Sequence, residues 1–433
     1  MKNVTIINAV DTSKANHPVD TWPVMMLEVI KDSIDNCKFI DTRFENINIK
    51  KTINEIFFIH FIAPDFRFAI DLCKKIKNND SKNIIVAIGP LPSLYPNKVI
   101  FDSSPVDYVL AGEIELVAQE FIKKLKKGKQ NIKLDCLVSQ NKKKYKLKMI
   151  DDLNKIKIPK LSYEYRCLYP IKGFFRAKHG FILSSRGCKH NCSFCSPISI
   201  RVSFGKKFRT NSINHIIDEI KYNIKRGCNI ITFMDDDFTS SKGRIIELCS
   251  KIIKDKIKIK WIAHARIDEI DNKLLYLMKK AGCVILKIGV ESGSERMLLR
   301  INKTKHPKKW IIESEKLFNY ARKINLDIVA MFMIGIPDET NNDLNKTKKL
   351  IKQLNPYLIQ LAKYTSYYDL LKKDIYPRPS VYHYKYDKKL KKIERELYKT
   401  FYMRLPFLKN HIRYVPYYIL NPRLAYKLIR YLI

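Results

Sequence analysis

No run of about 18 apolar residues occurs in this sequence, so nothing in it reads as a membrane span. Nor does it open like a secretory leader. Met1-Lys2-Asn3-Val4-Thr5-Ile6-Ile7 reads as a first strand, with no long apolar core or small-residue cleavage site behind it. Negative charge is short as well: 43 Asp and Glu stand against 82 Lys and Arg, a net charge of +39. A field of that strength attracts polyanions, either nucleic acid or an anionic membrane surface. The lysines fall on nearly every helical stretch rather than in one patch, in a chain saturated with Lys, Ile and Asn. That spread speaks for a compositional bias and against a dedicated nucleic-acid groove. A disulfide pattern is missing too. Of ten cysteines three form a tight trio and the other seven are scattered. Cys73, Cys228, Cys249 and Cys283 sit in apolar helix or strand contexts and read as buried small hydrophobes. The expected compartment is therefore reducing, the cytoplasm. At 433 residues the chain has the length for two domains and a tail.

The trio lies in Ser184-Ser185-Arg186-Gly187-Cys188-Lys189-His190-Asn191-Cys192-Ser193-Phe194-Cys195. Thiols at the spacing C-x3-C-x2-C can wrap three corners of an iron–sulfur cube and leave the fourth iron without a protein ligand. The stretch resembles the signature of the radical S-adenosylmethionine (radical SAM) enzymes. The resemblance implies a [4Fe–4S] cluster on Cys188, Cys192 and Cys195, whose open iron chelates SAM and whose electron releases a 5′-deoxyadenosyl radical. It also implies that Phe194 lies near the adenine. The other reading is a structural zinc with His190 as fourth ligand. Zinc knuckles, however, pair their ligands in two separated short-spaced couples, and no second couple follows here.

From Gly180 onward six strand patterns alternate with helical ones: Gly180–Ser184, Asn229–Met234, Ile257–His264, Val284–Gly289, Leu326–Ile334 and Tyr357–Lys363. Isoleucines 213, 216, 217, 220 and 224 fall at helical spacing behind Asn211 as the expected cap and stop at Gly227. Six such units resemble the partial (βα)6 barrel of the radical SAM fold, expected over residues 175–365. Chemistry in barrels gathers where strands end, and the trio follows the first strand. Phe233-Met234-Asp235-Asp236-Asp237-Phe238-Thr239 follows the second, like the family's motif for the SAM amine; an ammonium needs such acceptors. Arg266 and Asp268 follow the third, where the guanidinium is expected either to hold the SAM carboxylate or to form a surface ion pair. Gly289-Val290-Glu291-Ser292-Gly293-Ser294-Glu295 ends the fourth; the resemblance implies that Glu291 and Ser292 meet the ribose or the methionyl end of SAM. Ile334 and Gly335 end the fifth, where the backbone would edge the adenine.

Residues 1–145 show apolar strands alternating with amphipathic helices, the pattern of a parallel sheet covered on both faces. The expected strands are Asn3–Val10, Lys38–Phe44, Glu55–Ile62, Asn83–Ile88 and Val106–Leu110, followed by a basic hairpin of Leu134–Val138 and Lys144–Met149. Ala63-Pro64-Asp65-Phe66, Gly89-Pro90-Leu91-Pro92-Ser93 and Ala111-Gly112-Glu113-Ile114-Glu115 resemble the loops of the Rossmann-like cobalamin-binding domain found in one branch of the family. That implies cobalamin at Gly89, Gly112 and Glu113. The sequence departs by one glycine fewer in each of the last two loops, which matters where backbone must approach a ligand. It also lacks the Asp-x-His-x-x-Gly motif that supplies an axial histidine elsewhere; His17 is a lone alternative.

Residues 146–174 read as a linker, and 366–433 as a helical, basic, tyrosine-rich tail. The interleaved aromatics and cations of Tyr414–Ile433 suit either a membrane interface or a lipid-like substrate, or else a lid over the barrel mouth. The expected activity is cobalamin-dependent methylation of an unactivated carbon in a small-molecule or lipid-like substrate, with electrons from a flavodoxin or ferredoxin. A radical cyclisation, as in the tetrapyrrole oxidative cyclases, is the alternative. A tRNA methylthiotransferase would need a second cluster on three N-terminal cysteines. Here those would be Cys37, Cys73 and Cys136, outside any matching motif. The non-enzymatic rival is the zinc-stabilised binding protein.

Overall fold

Short apolar runs bounded by polar turns become buried strands. The computed structural model describes residues 3–11, 22–62, 65–127, 132–162, 178–195, 208–364, 388–404 and 407. The chain forms two compact units. The first is Met1–Tyr165 with Ser199–Arg209 and Leu370–Val381; the second is Arg166–Ile198, Thr210–Asp369 and Tyr382–Ile433. The segment Tyr414–Ile433 lies outside the described residues, as does His17.

In the first unit β1 (Val4–Asn8), β2 (Cys37–Asp41), β3 (Ile56–His60), β4 (Ile84–Ile88) and β5 (Tyr108–Leu110) pair in parallel, in the order β2-β1-β3-β4-β5. Every residue of β1 and β3 is buried, as a sheet covered on both faces requires. Helices α1 (Trp22–Asp32), α2 (Phe66–Asn79) and α3 (Ala118–Lys126) alternate with the strands. The order reverses between β1 and β3, where sheets of this class form their ligand crevice. Asn8, Asp41, His60 and Ile88 end their strands there in register.

The expected basic hairpin is present only around its turn, where Ser139 and Lys142 bridge antiparallel and the Lys146 N–H donates to the Asp135 carbonyl at 2.8 Å. β6 (Leu137–Val138) instead pairs antiparallel with β5, and residues 144–149 form no strand. Lys148 bridges to Gly112, its N–H donating to the Ala111 carbonyl at 3.0 Å. The segment was spent on closing the sheet edge, which a local pattern cannot reveal.

In the second unit β7 (His179–Ile182), β8 (Ile230–Phe233), β9 (Lys260–Ala265), β10 (Cys283–Glu291), β11 (Asp327–Ile334) and β12 (Leu358–Lys363) are all parallel, and sheet order follows chain order. β7 and β12 remain edges, so these six strands make an open, partial barrel. Helices α4 (Ile213–Lys225), α5 (Lys242–Lys254), α6 (Asn272–Lys280), α7 (Glu295–Arg300), α8 (Pro307–Lys323) and α9 (Asn341–Leu354) connect them and bury one apolar face each. The cap of α4 is Ser212, whose hydroxyl accepts the His215 N–H, and not Asn211. β9 begins later than the apolar run suggests. Lys256 turns left-handed at φ 54°, and the Ile257 N–H closes onto the Ile252 carbonyl, so this isoleucine finishes the C-terminus of α5.

β12 would expose a row of unpaired backbone groups. Helix α10 (Lys388–Tyr402) covers it. The Ile359 and Leu361 N–H groups donate to the hydroxyls of Tyr402 and Tyr398, each at 3.3 Å, and Tyr402 donates back to the Ile359 carbonyl at 3.0 Å. Glu394 pairs with Lys363 at 3.0 Å. No helix among the described residues is long and apolar enough to cross a membrane.

Candidate active site at the strand ends of the second unit

Two serines at the end of β7 begin the site. The Ser184 hydroxyl lies 3.0 and 2.9 Å from the two oxygens of Asp235, and Ser185 donates to the same carboxylate. Arg244 of α5 in turn donates to Ser184. Asp235 is 1% exposed, and burial pushes its carboxyl up, against the opposing pull of Arg244. This aspartate is a buried brace between β7 and β8. The two that follow face the cysteine loop. Exposed Asp236 accepts the Gly187 N–H at 3.2 Å, and the Cys188 thiol donates to Asp237 at 3.7 Å. Asp237 also accepts from Ser240 at 2.9 Å; burial, reinforced by Glu269, raises its carboxyl to about 6.

The loop itself is pinned at several points. Lys189 donates to the Ser240 carbonyl at 2.5 Å, and the His190 ring lies 2.7 Å from Glu269. Burial pushes Glu269 up, yet hydrogen bonds from His190 and Thr239 outweigh it and hold the carboxyl low. The Ser193 N–H reaches the Ile301 carbonyl at 2.9 Å, and the Asn302 amide the Asn191 carbonyl at 2.8 Å. Cys192 is buried at 6% exposure; Cys188 and Cys195 are half-buried, and all three are free thiols.

His190 Nε2 faces the carboxylates of Glu269 and Asp237, and among the described residues these three side chains come close enough together to share a cation. It does not complete a tetrahedral set with the thiols. The donor chemistry fits a three-thiolate cluster better than Cys3His zinc.

Arg266 lies over the loop. Its Nη1 donates to Cys192 Sγ at 3.5 Å, its Nε and Nη2 to both oxygens of Asp268 at 3.0 Å, and Nη2 also to the Lys303 carbonyl at 3.0 Å. Its guanidinium carbon stands 5.2 Å from the centre of the Trp310 ring. Burial opposes the charge, but Asp268 outweighs it and raises the guanidinium's affinity for its proton. Of its four hydrogen bonds, three go to Asp268 and the Lys303 carbonyl and one to the cysteine loop.

At the end of β10 the register shifts between Gly289 and Glu291, and Glu291 takes φ 70°, a strained value for a residue with a side chain. This turns its carboxylate onto Lys303 at 3.0 Å, both side chains being under a tenth exposed. Lys303 Nζ stands 5.9 Å from the Phe194 ring and 5.4 Å from Trp310. Lys303 and Trp310 were not legible in the sequence, because their burial depends on the 301–303 turn folding back against the cysteine loop. Ser292 points elsewhere: its hydroxyl meets Thr347 of α9 at 3.1 Å and accepts the Ser294 N–H at 3.1 Å. Met297, Ile301, Met333 and Ile336 form a small apolar cluster against which Phe194 and Tyr364 pack, beside Ile334 and Gly335. Gly335 has φ 74°, and its N–H donates to Glu339 at 2.7 Å.

In the first unit, Gly89 and Gly112 are linked through Ser93, whose hydroxyl donates to the Gly89 carbonyl at 2.6 Å and accepts the Gly112 N–H at 2.9 Å. A Cβ on Gly112 would fall 2.3 Å from the Lys148 carbonyl oxygen, so this glycine admits the chain's own backbone. Glu113 accepts from both terminal nitrogens of Arg209, at 2.7 and 2.8 Å, and from the Ile150 N–H at 2.7 Å. Its carboxylate is committed to the fold. Cys37 begins β2 at one edge of the sheet and Cys136 precedes β6 at the other, five strand spacings or roughly 24 Å away. Cys73 is buried in α2, so these three thiols do not converge on a second cluster.

The chain is 30% identical over 297 residues to an uncharacterized methyltransferase of Pyrococcus horikoshii, covering 67% of this chain and 62% of that protein. It is 28% identical over 184 residues to the anaerobic magnesium-protoporphyrin IX monomethyl ester cyclase of Rubrivivax gelatinosus, covering 42% of this chain and 32% of the cyclase. The chain thus spans less than two thirds of either relative. Among solved structures, the radical SAM methyltransferase TsrM of Kitasatospora setae, with cobalamin and a [4Fe–4S] cluster bound, superposes with a TM-score of 0.65 at 14% identity, covering 84% of this chain and 75% of that one. At that identity the likeness is one of fold. Residues 182–351 match the radical SAM superfamily.

Proposed function

We propose that the chain is a radical SAM enzyme that methylates an unactivated carbon, with SAM bound in the second unit and cobalamin in the first. The observation that carries this reading is the thiol trio at the end of β7, with the Arg266 guanidinium against Cys192 and carboxylates at the next two strand ends. Cys188, Cys192 and Cys195 would hold a [4Fe–4S] cluster, which supplies the electron that splits SAM into methionine and a 5′-deoxyadenosyl radical, while cobalamin supplies the methyl carrier.

The chain's own residues bind and orient. Arg266 places a positive charge where a thiolate ligand needs compensation. Asp236 and Asn302 fix the backbone of the loop that carries the three cysteines. Asp236 and Asp237 are the acceptors near enough to the loop to receive the ammonium of SAM. Phe194, packed on Met297, Ile301, Met333 and Ile336, offers an apolar surface for a flat base. Glu291 and Lys303 set a carboxylate and an ammonium side by side at the rim, suited to a ribose hydroxyl and to the methionyl carboxylate. A small-molecule or lipid-like substrate and a low-potential reductant such as a flavodoxin or ferredoxin complete the reaction.

Anaerobic reconstitution tests the proposal. Expected are about four irons and four sulfides per chain. With SAM and reductant, 5′-deoxyadenosine and methionine should then form. Stoichiometric zinc with no colour, or intact SAM after prolonged reduction, would sink it.

A further inference from the structure

We propose that Glu269 is a positioning residue for the iron–sulfur cluster, acting through His190 on the arc of chain between Cys188 and Cys192; this rests on the cluster reading above. His190 is the midpoint of that arc, two residues from either thiol. Two sulfurs that share one cluster need the chain between them bent to a single shape, and a hold on the midpoint sets that bend.

Glu269 ends the turn Ile267–Glu269 that follows β9. Its Oε1 lies 2.7 Å from His190 Nε2, and its Oε2 lies 2.7 Å from the hydroxyl of Thr239 in the loop leaving β8. Thr239 Oγ1 also accepts the Arg266 N–H at 3.1 Å, so the loops leaving β8 and β9 are tied together behind the carboxylate. With one oxygen fixed from behind, the other is aimed in one direction, as a supporting group must be. An ionised carboxylate only accepts, so the imidazole proton sits on Nε2 and the bond has a fixed sense.

The same turn reaches the cysteine loop twice. Asp268 does so through Arg266, whose Nη1 meets Cys192 Sγ, and Glu269 does so through His190. Adjacent carboxylates, one spent on a cation and one on an imidazole, thus brace Cys192 and the arc that precedes it. A pair open to solvent contributes little. Here the side chains of Glu269 and His190 are only 14% and 26% exposed, and both carboxylate oxygens are engaged by different loops.

The test reads iron rather than turnover. Full-length wild type, Glu269→Ala, His190→Ala, the double variant and Glu269→Gln are reconstituted anaerobically, and bound iron is followed against a chelator. Loss of a supporting partner of this kind costs about 10- to 100-fold in metal retention. Glu269→Ala and His190→Ala should each release iron faster by that order. The double variant should be no faster than either single, because the two side chains act as one device. Glu269→Gln keeps an acceptor for Thr239 and a donor for the imidazole, and should hold iron as wild type does. Wild-type retention in Glu269→Ala, losses that multiply in the double variant, or a Glu269→Gln as leaky as the alanine would each overturn the proposal while the cluster reading stands. A fall confined to the melting temperature of the iron-free variants would do the same, since it marks a merely structural contact. Should wild type take up zinc in place of iron and sulfide, both readings fall. If Glu269→Ala fails to fold, the half-buried His190→Ala decides alone, and wild-type retention there overturns the proposal.

Discussion

Arg266 donates to Cys192 Sγ at 3.5 Å from one side of its guanidinium while Asp268 clamps the other side through both oxygens. The clamping side chain lies at the surface, yet it orients a buried cation against a proposed cluster ligand. Removal of such a supporting partner typically weakens metal retention or activity about 10- to 100-fold. Arg266→Gln should lose iron on anaerobic desalting by that order, with circular dichroism unchanged. Asp268→Asn should show the same loss to a smaller degree. Full iron retention in Arg266→Gln would show that the contact is incidental.

The Glu291–Lys303 pair is buried, so breaking it strands a charge. Glu291→Gln should destabilise the second unit by about 3–5 kcal/mol, and the double variant with Lys303→Met should recover most of that. Urea unfolding of both singles and the double closes the cycle. Additive losses would mean that the two side chains do not depend on each other. Gly289→Ala should also be costly, since its Cβ would fall 2.3 Å from Glu291 Oε1.

Tyr402→Phe removes a hydroxyl that both accepts from and donates to Ile359, at an expected cost of about 1–2 kcal/mol. Tyr398→Phe, which loses a single hydrogen bond, should cost less. The pair together re-exposes the edge of β12, and light scattering on warming should then report self-association.

Stability should fall on both sides of neutrality, for opposite reasons. Burial pushes His60 and His179 down to about 4. The unfolded chain therefore binds more protons between about 4 and the ordinary 6.5, and stability is lost as pH falls through that window. Burial, with Asp235 nearby, raises Glu219 to about 8. Here the folded chain holds the extra proton, so stability is lost as pH rises from the ordinary 4.5 towards 8. Glu219→Gln should raise the melting temperature by roughly 3–8 °C at pH 8.5 and change it little at pH 4.5. A uniform shift at both pH values would contradict the assignment.

Much of this was legible locally. Continuous apolar strands, five motifs falling at strand ends and the isoleucine spacing of α4 all follow from short-range pattern. What escaped was non-local. Lys303 sits in Asn302-Lys303-Thr304-Lys305, where nothing separates it from dozens of solvated lysines until the turn folds onto the cysteine loop. Asp235, Asp236 and Asp237 read as three equivalent acceptors, yet the alternation of side chains leaving β8 buries the first and exposes the second. Ser292 read as a cofactor contact, but its hydroxyl closes the turn onto α9. Glu113 read as a cobalamin contact, yet its carboxylate pairs with Arg209, 96 positions later.

The seam between α10 and β12 also acts as a ruler. Glu394, Tyr398 and Tyr402 advance by four residues, about 6.0 Å of helix, while Lys363, Leu361 and Ile359 step back by two, about 6.6 Å of strand. Two lattices so nearly commensurate mesh at one offset and jam at others. The outward surface of α10 is thereby free to vary in sequence, so long as that four-residue cadence persists.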